Sequence, residues 1–399
     1  MDGGVESGTG SGASRDSGAD VGTSSGASAD SGADAGSNPP YDSAADGRAQ
    51  AGQDAGLDAT VSDSGAPANP AFILGADISW VQYDTSTGSS YYDDDGGKKD
   101  ILSLLKAHGF NYFRLRTFFD PTQPAPGPDG GTIAPYSSEG YCDLTHTVQV
   151  GQQIKAAGAG LLVDFHYSDT WADPSKQIKP AAWASEDLTT ITSSLHAYTT
   201  NAIKQLVAGG ARPDIVQIGN EITPGMELSP GTAMGPTSNW KQLAQLLNAG
   251  ITAVHEVDPS IKIMLHIDKC GDLATSQWFI TNALSSGVAF DVFGESCYVA
   301  YQGEPSTWTT VFTTLASQFP NLKFAIAEYN TDSADATEPR KANDVVHGLP
   351  NKQGLGTFFW EPTHSGAWGA GLFTWSGSNA STVPASIDLF DKMKADYGL

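Results

Sequence analysis

The chain has 399 residues and a formal net charge of −24 at pH 7, from 45 acidic and 21 basic residues. A negative field of this size repels nucleic acids and anionic lipid surfaces, so we expect neither as a partner. No run of about 18 apolar residues is present, which argues against a membrane-spanning helix. The three cysteines have no zinc-ligand spacing, and we predict no metal and no cofactor.

Residues 1–70 differ in composition from the rest of the chain. They consist mainly of Gly, Ala, Ser and Asp, with eleven acidic residues against two basic ones. Apolar side chains larger than Val are nearly absent, so burial cannot offset the entropy of ordering. We predict a disordered acidic linker over residues 1–70 and one folded domain over residues 71–399. We also expect a signal segment upstream of Met1, and a monomer that is extracellular or attached to the cell surface.

From about residue 71, apolar strand patterns alternate with amphipathic helix patterns. The predicted strands are 72–76, 112–116, 160–165, 215–218, 262–266, 291–294, 324–327 and 356–360. The predicted helices are 98–108, 144–157, 188–207, 240–257, 273–284, 306–318, 341–347 and 384–397. Eight strand–helix units predict an α/β fold of the (β/α)8 TIM barrel type. A doubly wound open sheet is the alternative, but no Gly-rich phosphate loop follows the first strand.

Two of the predicted strands lead into a glutamate. The run DIVQIGNE ends at Glu221, and the run KFAIAE ends at Glu328. A Glu after a strand is usually the first polar residue of a loop, but a charge at a buried strand end needs partners that offset its desolvation. Two such carboxyls facing one crevice are what glycoside hydrolysis requires, one as proton donor and one as nucleophile or base. Tryptophans near the predicted strand ends could stack on sugar rings, although each alone is more often a core residue: Trp80, Trp171, Trp360 and Trp368.

Six motifs carry a more specific resemblance. They are LGADIS at 74–79, FRLR at 113–116, VDFHYSDTWADP at 163–174, IGNEI at 218–222, AEY at 327–329 and FWEP at 359–362. Together they resemble glycoside hydrolase family 53, the endo-β-1,4-galactanases, within a clan of retaining (β/α)8 glycosidases. The resemblance covers roughly residues 74–399, and the third motif is its most discriminating part. One departure is the segment CYVAY at 297–301, where the family usually has two consecutive Tyr followed by Pro and an aromatic residue.

The resemblance implies a role for each residue of the catalytic pair. Glu221 is expected to be the acid/base, with its pKa raised by burial and by the charge of Glu328. Glu328 is expected to be the nucleophile, which must stay ionised beside a cation. Strand alternation is interpreted as turning only one of Arg114 and Arg116 toward Glu328. The resemblance selects Arg116. Asn220 is expected to bind the sugar 2-hydroxyl.

The resemblance also implies residues around this pair. Tyr298 is expected to hold Glu328 through its hydroxyl, and Trp360 to form the floor of the sugar site. The residues expected to recognise sugar hydroxyls or support the catalytic groups are His166, Asp169, Trp171 and Asp173, with His266 behind them. Glu361, a third carboxylate at a strand end, is interpreted as part of a structural turn because Pro362 follows it. Calcium is not predicted, because the segment after the seventh strand is short compared with that of family members that carry a calcium site there.

The remaining chemistry-bearing residues leave one question open. Cys270 and Cys297 follow the fifth and sixth predicted strands, which are neighbours in a barrel, but the sequence does not decide whether they form a disulfide.

We expect an endo-acting enzyme that cleaves plant cell-wall β-1,4-galactan or arabinogalactan with retention of configuration. The alternatives are a clan-related β-glycanase acting on mannan, xylan or β-glucan, and a catalytically silent carbohydrate-binding barrel.

Overall fold

The computed structural model describes residues 72–127, 131–227, 231–235, 238–331, 337–364 and 371–399. The linker predicted over residues 1–70 lies outside the described residues. Within them, eight parallel strands form a closed barrel, in which each strand pairs with its neighbours in chain order and the first pairs with the last. The predicted (β/α)8 TIM barrel is confirmed.

The barrel strands are β1 (Ile73–Asp77), β2 (Tyr112–Thr117), β3 (Gly160–Phe165), β4 (Ile215–Ile218), β5 (Lys262–Ile267), β6 (Val292–Ser296), β7 (Lys323–Tyr329) and β8 (Gly354–Trp360). The surrounding helices are α1 (Ile101–Ala107), α2 (Leu144–Ala156), α3 (Leu188–Ala208), α4 (Trp240–Val257), α5 (Leu273–Ser285), α6 (Pro305–Gln318), α7 (Glu338–His347) and α8 (Pro384–Tyr397). Shorter helical segments span Val81–Ser86, Ala181–Trp183, Val299–Gln302 and Pro350–Lys352. Short strands at Ser90–Tyr92, Lys98–Lys99, Phe373–Ser376 and Asn379–Thr382 form a second sheet, and Ala125–Pro126 pairs with Thr132–Ile133.

The inside of the barrel changes from apolar to polar along the strands. Its amino-terminal layer is a cluster of buried apolar side chains: Ile73, Tyr112, Leu162, Ile215, Met264, Val292, Ala325, Ala327 and Phe358. Residues two positions apart on a strand point to the same side. The next inward positions are therefore Arg114 after Tyr112 and Asp164 after Leu162, and both are fully buried. This alternation places the polar groups at the carboxyl ends of the strands.

Several of the surrounding helices begin at an acidic or amide side chain. Asp100, Asp143, Asp187, Asn239 and Asp272 each accept a hydrogen bond from the backbone N–H three residues on. Such an N-cap contributes about 1 kcal/mol to helix stability. It also explains why α1 begins at Ile101 and not at 98 as predicted: Asp100 is the cap, and Lys98–Lys99 instead pairs with Ser90–Tyr92.

Two side-chain connections tie peripheral segments to the barrel. Cys270 and Cys297 form a disulfide between the segments that follow β5 and β6. His108, after α1, lies between Asp93 and Asp391, with ring nitrogens 2.9 and 3.0 Å from their carboxylate oxygens. Although burial lowers the pKa of His108, these two carboxylates raise it above its ordinary value. None of the described helices is both long and apolar enough to cross a lipid bilayer.

Candidate active site

Glu221 and Glu328 are both held at the carboxyl end of the barrel, by different local structures. Glu221 follows β4 with φ of +46°, in the left-handed region, which costs a non-glycine residue energy and in which residues at functional sites are often found. Glu328 lies inside β7, where the pairing with β6 and with β8 shifts register, and it is 5% exposed. The backbone irregularity at each position aims a carboxyl into the barrel mouth.

Glu328 is surrounded by donors that favour its ionised form. Arg114 Nη2 lies 2.9 Å from Oε1, and the Tyr298 hydroxyl donates to Oε2 at 3.0 Å. Burial raises the pKa of Glu328, and the Arg114 guanidinium opposes that rise. The contact of Arg114 with Oε1 lacks hydrogen-bond geometry, and Oε1 has no other partner among the described residues. Oε1 is therefore the oxygen whose lone pairs are free to bond with a substrate.

Among the residues that the structure describes, no cation lies beside Glu221. Burial and the charge of Glu328 raise its pKa well above the ordinary value, which are the causes predicted from the sequence. The Ser296 hydroxyl donates to Glu221 Oε1 at 2.6 Å and opposes this rise. His266 Nε2 lies 2.9 Å from the same Ser296 oxygen, and burial lowers the pKa of His266 so that the ring is neutral. Glu221 is thus the carboxyl that holds a proton when Glu328 is ionised.

A buried network of charges surrounds Arg114. Asp77 Oδ2 accepts from its Nη1 at 2.8 Å, and Asp164 Oδ2 and Asn220 Oδ1 both accept from its Nη2 at 2.8 Å. Burial alone would raise the pKa of Asp77, but Arg114 and Arg116 keep it below its ordinary value. Both terminal nitrogens of the guanidinium group donate to these buried acceptors, and these bonds fix Arg114 beside Glu328.

Arg116 lies at the centre of a group of aromatic rings, which we call the Trp cage. Its Cζ atom is 4.5 Å from the ring centroid of Trp80, 4.7 Å from that of Trp171 and 5.3 Å from that of Trp360. Its guanidinium also forms an ion pair with Glu361 and donates to the Tyr136 hydroxyl at 2.8 Å. Trp360 Nε1 is buried and has no partner among the described residues. Cation–π contacts of this kind hold the rings in place around the barrel mouth.

The profile of glycosyl hydrolase family 53 matches residues 73–344 of this chain. The chain belongs to glycosyl hydrolase family 53. It is 32% identical over 320 residues to a Bacillus subtilis protein named endo-beta-1,4-galactanase, which covers 74% of this chain and 70% of that protein. It is 29% identical over 343 residues to an arabinogalactan endo-beta-1,4-galactanase of Thermothelomyces thermophilus, covering 77% and 97%. A solved GH53 catalytic domain of Ignisphaera aggregans superposes with a TM-score of 0.70 at 32% identity, covering 81% of this chain and 97% of that one.

One residue prediction for this family 53 enzyme is wrong. Arg116 was expected beside Glu328, but Arg114 occupies that place and Arg116 pairs with Glu361 and Asp77. The two arginines are two residues apart on β2, so strand alternation turns both into the barrel. Both side chains therefore lie inside the barrel, at two different depths.

Two other predicted residues are at the barrel mouth with their polar atoms engaged. Asp169 accepts from the backbone N–H of Asp120 at 3.0 Å and of Ala181 at 2.7 Å, so its carboxylate holds neighbouring loop segments together. His166 Nδ1 accepts from the Ala172 N–H at 3.1 Å, and His166 Nε2 lies 3.1 Å from a carboxylate oxygen of Asp164. Direct contact of these residues with a sugar stays a prediction, as does the contact of Asn220 with the 2-hydroxyl. Trp368 lies outside the described residues.

Sequence analysis did not identify several members of the site, among them Asp77, Asp164 and Ser296. Asp77 and Asp164 interrupt otherwise apolar strands, which is a usable signal for a buried charge with a partner. Ser296 gives no such signal, because a serine at the end of a strand is common. Among the described residues, Asp93, Asp94 and Asp95 are close enough to share a cation, but two are exposed and Asp93 already pairs with Lys99, so we propose no metal site.

Proposed function

We propose that this family 53 enzyme hydrolyses β-1,4-linked galactan within the polysaccharide chain, by double displacement with net retention of anomeric configuration. The observation that carries the proposal is the contrast between the two carboxyls. Glu328 has a cation and a hydroxyl donor beside it, whereas Glu221 is half-buried and has no cation beside it among the described residues. Glycoside hydrolysis needs this division into one ionised and one protonated carboxyl, and the retaining course follows from the family.

The first chemical step forms a covalent intermediate. Glu328 Oε1 attacks the anomeric carbon, the bond from that carbon to the leaving sugar oxygen breaks, and the proton of Glu221 moves to that oxygen. An ester now joins the sugar to Glu328, and Glu221 is ionised. In the second step, Glu221 takes a proton from water, the water oxygen bonds to the anomeric carbon, and the ester bond to Glu328 breaks. Both carboxyls return to their starting forms, so the cycle is balanced.

The substrate follows from the relatives and agrees with the charge of the chain. The relatives from Bacillus subtilis and Thermothelomyces thermophilus bear the names endo-beta-1,4-galactanase and arabinogalactan endo-beta-1,4-galactanase. A neutral polymer is not repelled by a protein of net charge −24. The Trp cage presents aromatic rings at the mouth, and the apolar C–H faces of sugars stack on such rings.

A panel of polysaccharides tests the proposal. The enzyme is incubated with linear galactan, arabinogalactan, mannan, xylan and β-glucan, and new reducing ends are measured together with the lengths of the products. We expect galactan to be cleaved to oligosaccharides of mixed length, and NMR of the fresh product to show the β-anomer. Cleavage of mannan, xylan or β-glucan with none of galactan would overturn the substrate. An initial α-anomer would overturn the mechanism, and binding without cleavage would identify a carbohydrate-binding barrel.

We further propose that the enzyme acts outside the cell as a monomer. The disulfide between Cys270 and Cys297 supports the location, because such bonds persist in oxidising compartments. Immunodetection in the medium and at the cell surface, compared with the cytosol, tests the location. Light scattering after size-exclusion chromatography tests the oligomeric state: a mass of twice 41.6 kDa would contradict the monomer.

A further inference from the structure

Tyr301 is the most exposed large hydrophobic side chain among the described residues. It is 83% exposed, whereas the next such side chains are between 38% and 42% exposed. It lies in the helical segment Val299–Gln302 after β6, none of whose side chains is buried. A single exposed aromatic residue needs no explanation by itself. Tyr301 differs from such a residue in two ways: its backbone segment is held by several hydrogen bonds, and the segment lies next to the catalytic pair.

The segment that carries Tyr301 is held on both sides. Gln302 Oε1 accepts from the Tyr298 N–H at 2.8 Å, and Gln302 Nε2 donates to the Asp268 carbonyl at 3.1 Å. The carbonyl of Gln302 accepts from Trp308 Nε1 at 3.0 Å. The same carbonyl comes so close to Gly271 that a Cβ added there would lie 2.1 Å from it. The exposed ring of Tyr301 is therefore presented from a fixed backbone.

Covalent and catalytic contacts border the same segment. The disulfide at Cys297 links it to Cys270 in the segment after β5. Tyr298, whose hydroxyl donates to Glu328, lies between the disulfide and Tyr301. The rings of Tyr298 and Tyr301 are 6.5 Å apart and nearly perpendicular. Tyr301 thus extends the active site outward from a residue that touches the nucleophile.

The order of strands in the barrel shows which end of a bound chain meets Tyr301. Glu221 follows β4 and Glu328 lies on β7, so the pair divides the barrel mouth into a short arc of β5 and β6 and a long arc of β8, β1, β2 and β3. The Trp cage belongs to the long arc, and Tyr301 belongs to the short arc. The proton donor Glu221 is hydrogen-bonded to Ser296 of β6, so its carboxyl faces the short arc. The leaving oxygen, which receives the proton from Glu221, is assigned to that side.

We propose that Tyr301 is a stacking platform for the leaving-group sugar, on the reducing-end side of the cleavage point. The inference rests on the proposed function, because it concerns the same site and the same polymer. Its ligand is a neutral β-linked galactopyranose, whose axial 4-hydroxyl leaves the C–H groups of carbons 3, 4 and 5 on one face. This apolar face fits an aromatic ring, whose electron-rich surface attracts C–H groups.

The test compares a polymer with a substrate that lacks a leaving-group sugar. Tyr301→Ala, Tyr301→Phe and the wild type are assayed on linear galactan and on an activated aryl β-galactobioside. For Tyr301→Ala, the ratio of kcat/KM on galactan to kcat/KM on the aryl substrate is expected to fall about tenfold, the size of one aromatic stacking contact. Tyr301→Phe keeps the ring and should keep the ratio. Leu284→Ala, which removes an exposed apolar side chain on α5, serves as the matched control.

A second readout uses the covalent intermediate. Added galacto-oligosaccharides compete with water for the glycosyl group, and the acceptor must bind on the leaving-group side. Tyr301→Ala is expected to shift the product ratio from transfer toward hydrolysis, whereas Tyr301→Phe is not. An equal loss on both substrates, or an unchanged transfer ratio, would overturn the inference while the proposed function stands. A wild type that releases no reducing ends from galactan would instead overturn the proposed function, and this inference with it.

Discussion

Replacing Ser296 by Ala should raise the pKa of the proton donor Glu221. The Ser296 hydroxyl is fully buried and donates to Glu221 Oε1 at 2.6 Å. A hydrogen bond donated to a carboxylate stabilises the ionised form and so lowers the pKa of the acid. Removing it leaves burial and the charge of Glu328, which both raise the pKa. The variant should therefore hold its catalytic proton to higher pH than the wild type.

The size of the shift follows from the energy of the bond. A hydrogen bond to a charged group contributes about 1.5–3 kcal/mol. One pKa unit corresponds to about 1.4 kcal/mol, so the pKa of Glu221 should rise by about 1–2 units. Activity requires protonated Glu221 and is lost as the pH rises through this pKa. The alkaline limb of kcat/KM against pH, which reports the acid of the free enzyme, should move upward by the same amount.

A second Ser–Glu pair in the same barrel provides the control. Ser276 donates to Glu295 Oε1 at 2.6 Å, both residues are buried, and neither touches the catalytic pair. Ser276→Ala should change thermal stability without moving the alkaline limb. If the limb of a folded Ser296→Ala variant does not move, the bond is not made to the carboxylate in solution. A limb that moves to lower pH would mean that Ser296 accepts a hydrogen bond from protonated Glu221.

Three further changes give separate tests. Glu221→Ala should lose about 100- to 10,000-fold in kcat on galactan but much less on an aryl galactoside with a good leaving group, which needs no proton donor; equal losses would reject Glu221 as the acid. Replacing Cys270 and Cys297 together by Ser opens a loop with a sequence separation of 27 residues. The free energy of unfolding should fall by about 3–4 kcal/mol, measured by denaturant titration, and an unchanged value would contradict the loop-entropy reasoning. His108 has a raised pKa, so its stabilisation is complete below its unfolded pKa of about 6.5 and is lost as the pH rises through the folded value. As the pH rises between these two pKa values, the melting temperature of the wild type should therefore fall more steeply than that of His108→Gln. Parallel declines in the two proteins would count against this account.

The barrel could be predicted from the sequence because buried strands and amphipathic helices leave periodic apolar patterns. Most predicted strands agree with the structure to within one or two residues. The seventh strand is informative, because it was predicted to end at 327 but continues to Tyr329. Glu328 is therefore part of the strand and not the first residue of the loop. The shift in pairing that turns it into the mouth depends on β6 and β8, which no local pattern records.

The connections within the site were harder to predict than its members. Glu221, Glu328, Tyr298 and Trp360 were named from strand ends and motifs, and the contact of Tyr298 with Glu328 is confirmed. Which arginine meets which carboxylate depends on side-chain depth inside the barrel, and sequence spacing does not give depth. The disulfide posed the same difficulty: adjacency of β5 and β6 permits the bond between Cys270 and Cys297, but only the geometry of their segments decides it.

The two arginines of β2 have separate tasks, and this separation accounts for the polarity of the catalytic pair. Arg116 is neutralised by Glu361 and Asp77 and enclosed by the rings of the Trp cage, so its charge acts on the placement of aromatic side chains. Arg114 is the cation in contact with a catalytic carboxyl. Since burial raises the pKa of both glutamates, the difference between them arises from what opposes that rise: a guanidinium at Glu328 and a single hydroxyl at Glu221. The guanidinium limits the rise in the pKa of Glu328 to about 7, whereas the pKa of Glu221 is raised well above its ordinary value, so Glu328 is the first of the two to lose its proton.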